Sequence, residues 1–130
     1  MAICPGLLVL MEPDESVRDA LATLLSHEGW QVVVLESAET LAGQLENCCP
    51  LAVISESRLP GYEAHSVLSV CLEHQVPLIF IGHEQAVQQA VDLVQLGAAG
   101  YLEKPFSRSR LLQLLEQLTH RHNTVATRQL

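Results

Sequence analysis

Lysine is almost missing from this chain: Lys104 is the only one in 130 residues. Seven basic residues face fifteen acidic ones, for a formal net charge of −8. Binding a phosphate backbone requires basic neutralisation, so this balance argues against direct nucleic-acid binding by this segment. Long apolar runs are missing too. None approaches the roughly 20 residues needed to cross a bilayer, so no membrane association is expected. The four cysteines, Cys4, Cys48, Cys49 and Cys71, form no CxxC pair and no metal-ligand spacing, and free thiols are expected. Repeats and low-complexity tracts are absent. Met1-Ala2-Ile3-Cys4-Pro5 lacks the basic stretch of a secretory leader, and a cytoplasmic setting is expected.

What is present is an apolar content of 48%, close to that of a globular domain. Five short, nearly continuous apolar runs predict strands over Leu7–Met11, Gln31–Leu35, Leu51–Ser55, Pro77–Ile81 and Ala99–Leu102. Continuity without alternation is the mark of strands buried on both faces of a parallel sheet. Amphipathic segments separate them. The first is Val17, Ala20, Leu21, Leu24 and Leu25, capped by Asp14 and stopped by Gly29. Leu41, Ala42 and Leu45 mark a second helix after Ser37, and Val67, Leu68 and Cys71 a third. The fourth is assigned to Val87, Ala90, Val91 and Val94, closed by Gly97; the fifth to Leu111, Leu112, Leu115 and Leu118, capped by Ser107.

Five βα units predict an α/β fold, a single doubly wound (βα)5 sandwich of the flavodoxin-like type with strand order 2-1-3-4-5. The domain is expected over 1–120, with a polar tail or linker over 121–130. In such a sheet the crevice lies at the carboxyl ends of strands 1 and 3. Glu12-Pro13-Asp14 follow strand 1, Glu56 follows strand 3, Gly82-His83 follow strand 4, and Lys104-Pro105 follow strand 5. A flavin or nucleotide site would need a loop after strand 1 rich in backbone N–H donors. Glu12-Pro13-Asp14-Glu15 is acidic and has lost one such donor, so that chemistry is excluded. A serine hydrolase is excluded as well, because Ser55 and Ser57 have no elbow glycines and no placed base. No enzymatic activity is expected.

Three blocks carry a resemblance: residues 14–21 (Asp-Glu-Ser-Val-Arg-Asp-Ala-Leu), Arg58-Leu59-Pro60-Gly61, and residues 96–106 (Leu-Gly-Ala-Ala-Gly-Tyr-Leu-Glu-Lys-Pro-Phe). Over roughly 6–118 the chain resembles the receiver domain of two-component response regulators. The resemblance places the phospho-acceptor position on Glu56, four residues before Pro60, where the family carries aspartate. The extra methylene moves the carboxylate by about 1.5 Å, and a misplacement near 1 Å costs on the order of a hundredfold in a positioned reaction. The acidic pair falls on Glu12 and Pro13. The second of these has no ligand atom, and Asp14 beyond it is expected to cap the helix. The switch hydroxyl falls on Gly82, and sliding by one gives only Ile81 or His83. Tyr101 takes the switch aromatic position, Lys104 the phosphate-binding lysine, and Pro105 the proline after a cis peptide.

No cofactor is therefore expected, and any Mg²⁺ site should be weak. Lys104 needs an anion, and the topology offers Glu56 for a direct ion pair. The reading is an atypical receiver that works through protein–protein interaction without phosphorylation. The alternative is a receiver that accepts phosphate from a histidine kinase at a degenerate site. Implied partners are a protein or a second copy, through the helix 4–strand 5–helix 5 face, and a histidine kinase or output domain. The fourth helix would bring Gln85, Gln88, Gln89, Asp92 and Gln95 to that face.

Overall fold

The computed structural model describes residues 2–59, 61–83 and 87–128. Pro60 and Gln85, used in the sequence reading, lie outside them. Five parallel strands form one sheet: β1 (Ala2–Met11), β2 (Gln31–Val34), β3 (Cys48–Glu56), β4 (Leu78–His83) and β5 (Gly100–Lys104), in the order β2-β1-β3-β4-β5. The connecting helices are α1 (Glu15–His27), α2 (Leu41–Asn47, preceded by a 3-10 turn at Ala38–Thr40), α3 (Ala64–Glu73), α4 (Val87–Gln95) and α5 (Arg108–Arg128). The chain has the predicted doubly wound fold. No helix among the described residues is long and apolar enough to cross a membrane.

The inner strands β1, β3 and β4 are apolar on both faces because each face is covered by helices, while the edge strands β2 and β5 keep Gln31 and Glu103 exposed. One layer joins Val9, Val53, Leu78 and Phe80 to Leu41, Leu45, Val67, Leu68, Cys71 and Leu93. The other joins Leu8, Leu10, Ile54, Ile79 and Ile81 to Leu21, Leu25, Leu111, Leu115 and Leu118. The central strand β3 is buried without interruption from Pro50 to Glu56, which forces any polar group at its end into the protein rather than into solvent.

Several expectations need correction. Strands β1 and β3 begin earlier than the apolar runs suggest, because Ala2, Ile3 and Cys4 pair with Cys48, Cys49 and Pro50 before a register shift that precedes Leu8. Backbone pairing needs no side-chain pattern, so periodicity does not report it. Cys48 takes part in a disulfide and is not the free thiol expected; strand pairing brings together residues far apart in sequence. Cys49 and Cys71 are free, and burial pushes the Cys71 thiol up to about 12.

The apolar face of α4 is also not the one predicted. Leu93 is fully buried, while Val91 and Val94 are exposed. The helix has nine residues; among its described side chains Leu93 joins the core, with Ala98 buried just beyond it, and Val91 and Val94 turn to solvent. Helix α5 runs from Arg108 to Arg128, into the stretch read as a polar tail or linker.

Candidate functional site

The turn after β1 is built by Asp14. Its carboxylate accepts the N–H groups of Ser16 at 3.0 Å and Val17 at 3.3 Å, satisfying donors left over at the start of α1. This is the role the sequence assigns it, and it leaves Asp14 at the rim. Glu12, two residues earlier, is 4% exposed. Its Oε1 accepts the Asp14 N–H at 3.2 Å, which fixes the carboxylate over the end of β1.

Glu56 ends β3 and is equally buried at 3%. Its Oε1 accepts the Arg58 N–H at 3.2 Å and the Ser57 hydroxyl at 3.4 Å. Its Oε2 lies 2.5 Å from Lys104 Nζ, in a direct ion pair. Lys104 comes from the end of β5, where His83 of β4 pairs with it, and reaches past β4 toward β3 and β1. Its ammonium donates to both oxygens of Glu12, at 2.9 and 3.0 Å. Lys104 thus lies between two carboxylates, and its side chain is only 14% exposed.

The electrostatics follow from that geometry. Burial alone would lower the lysine pKa, but the contacts with Glu56 and then Glu12 outweigh it and hold the ammonium above the ordinary lysine value. One positive charge serves two buried negative ones. The expected Glu56–Lys104 pair is there; the symmetrical claim of Glu12 on the same nitrogen was not foreseen, since topology alone favoured Glu56.

A second group sits on the other side of Glu56. Ser57 is 3% exposed and pairs its N–H with the Ile81 carbonyl at 2.9 Å. Its Oγ lies 3.2 Å from the Tyr101 hydroxyl. Since the Ser57 proton goes to Glu56, the tyrosine donates to the serine. Tyr101 lies against Phe80, the ring centroids 6.4 Å apart and the planes at 37°. Neither Ser57 nor this use of Tyr101 was legible in the sequence. The only signal was a glycine in a strand, Gly82, which commonly marks a close approach. Pro105 follows a cis peptide bond from Lys104.

The donors required for a divalent cation are committed elsewhere. Pro13 offers no side-chain oxygen, Asp14 caps α1, and Glu12 and Glu56 both face the ammonium of Lys104. An octahedral Mg²⁺ shell does not fit this arrangement, and a cation would have to displace Lys104 to reach the carboxylates.

A parallel 2-1-3-4-5 sheet with carboxylates after β1 and β3 and a lysine after β5 defines a receiver-type signalling domain. A nucleotide-binding domain of the same architecture would require N–H donors where Glu12 and Pro13 stand. The chain belongs to the response regulator receiver domain family, which matches residues 8–116. It is 32% identical over 114 residues to the transcriptional regulatory protein FixJ of Bradyrhizobium diazoefficiens, covering 85% of this chain and 55% of that one. To the response regulator protein FleR of Pseudomonas aeruginosa it is 33% identical over 110 residues, covering 83% of this chain and 23% of that one. The crystal structure of full-length FixJ from B. japonicum matches with a TM-score of 0.84 at 27% identity, over 94% of this chain and 61% of that chain. The chain thus spans little more than half of FixJ's length and under a quarter of FleR's.

Proposed function

We propose that this domain is an atypical receiver that signals through protein–protein contact without taking up phosphate. One observation carries the reading: the lysine that would meet an incoming phosphoryl group is already held by two buried carboxylates, one of them at the acceptor position. Glu56 supplies the negative charge that a phosphoryl group would otherwise bring, and supplies it covalently. Added phosphate would place a further dianion beside Glu12 and Glu56, where one ammonium is shared already.

Within this reading the domain has no catalytic activity of its own, and residues 121–130 are its polar tail or a linker. Its partner is a protein, a histidine kinase, an output domain or a second copy, which meets it on the α4–β5–α5 face. Two exposed valines and the uncharged side chains of Gln88, Gln89 and Gln95 make that face of α4 suited to such contact.

The test is incubation with acetyl phosphate and Mg²⁺, followed by intact mass measurement. The expected result is an unchanged mass. A stable gain of one phosphoryl group, lost in Glu56→Gln, would instead establish phosphorylation at a degenerate site.

A further inference from the structure

Glycine at position 82 is unexpected in a buried central strand, where it costs chain entropy and fills no space. Its backbone is not in the left-handed region, so conformation does not require it. Space does. A Cβ built on Gly82 would lie 2.0 Å from the Tyr101 hydroxyl, 2.6 Å from Ser57 Oγ and 2.9 Å from Tyr101 Cζ. Two of these three neighbours belong to the Tyr101 side chain, whose tip would have to leave, and Ser57 Oγ would have to turn aside, before any side chain could enter.

The sheet register explains how the ring arrives. Tyr101 of β5 is paired with Phe80 of β4, and Gly82 lies two residues further along the same face. The ring lies beside Phe80, and its hydroxyl extends diagonally over Gly82 to Ser57. Ser57 in turn donates to Glu56. A hydrogen-bonded line therefore runs from β5 across the bare backbone of β4 to the carboxylate at the end of β3.

We propose that Gly82, Tyr101 and Ser57 form a built-in latch. The tyrosine hydroxyl fills the volume vacated by a missing side chain at 82 and holds the β3–β5 edge in one state with no bound phosphate. The proposal rests on the phosphate-independent reading above. Withdrawing the ring would break its hydrogen bond, leave the buried Ser57 oxygen one partner short and open a hole beside Glu56.

The test combines stability measurements with NMR on the 130-residue chain. In the parent, ring protons of Tyr101 should show NOEs to the Gly82 α-protons and the Ser57 β-protons, with one sharp set of β5 amide resonances. Gly82→Ala should abolish the NOEs, broaden or double the β5 resonances, and lower the thermal midpoint by roughly 3–10 °C through overpacking. In a Tyr101→Ala background the ring is gone and only Ser57 Oγ, 2.6 Å from the new Cβ, has to turn aside, so the same Gly82→Ala change should lower the midpoint by clearly less than it does in the parent. Strictly additive effects of the two substitutions, or no NOE between Tyr101 and Gly82 in the parent, would overturn the latch. Mass measurement after acetyl phosphate treatment of the same samples bears only on phosphate uptake. A phosphorylated parent with a non-additive cycle would refute the functional reading and leave the latch standing; an unmodified parent with an additive cycle would do the reverse.

Discussion

Lys104 is the residue on which the site's charge balance turns. Lys104→Met would leave two buried carboxylates facing each other without a counter-charge, at an expected cost of about 3–5 kcal/mol. Glu56→Gln is expected to cost less, because Glu12 keeps both of its contacts with the ammonium. Urea denaturation of both single variants and the double variant isolates the pairwise term, expected at about 1–3 kcal/mol. A coupling of zero would reduce the ion pair to a packing accident. The same lysine sets an alkaline limit. Its folded pKa is raised, so its contribution is fully present below the unfolded value of about 10.4 and is lost as pH rises through the folded value. Denaturation midpoints should therefore fall above about pH 10, and this share of the loss should disappear in Lys104→Met.

At the scale of elements, α1 and α4 make contrasting cases. For α1 the sequence pattern and the fold agree: Leu21 and Leu25 point inward, and Asp14 caps the first turn. Asp14→Ala should cost about 1 kcal/mol, read from the shift in urea midpoint at unchanged slope. For α4 the pattern and the fold part company. Leu93→Ala empties a fully buried position and is expected to cost about 2–5 kcal/mol, whereas Val91→Ala and Val94→Ala should stay within about 0.5 kcal/mol. If the two valines proved the costlier pair, the assignment of the buried face would be wrong. Among the described side chains of this short helix, Leu93 is the fully buried one, so Val91 and Val94 can face away and remain available for contact.

For the whole molecule, a net charge of −8 disfavours self-association except where a face is locally uncharged, as the described part of α4 nearly is. Under the proposed phosphate-independent function, sedimentation of the 130-residue chain should give the same mass distribution with and without acetyl phosphate. A donor-dependent shift would show that a phosphorylation cycle still operates. Raising ionic strength screens long-range repulsion and should favour whatever self-association occurs.

The sequence by itself determined the five βα units, the strand order, the cap on α1 and the set of residues that end the central strands. These follow from local periodicity, turn chemistry and the handedness of crossovers, which act over a few residues at a time. It also supplied Glu56 and Lys104 as a pair, since strand order alone brings those positions to one edge. Only the tertiary structure decided that Glu12 shares the ammonium, because depth and distance at the sheet edge depend on how β1, β3 and β5 stack. The inward seat of Tyr101 over Gly82 was decided there too. A missing side chain becomes a site only when a ring on another strand fills the space, and which ring does so is fixed by register and packing across the sheet.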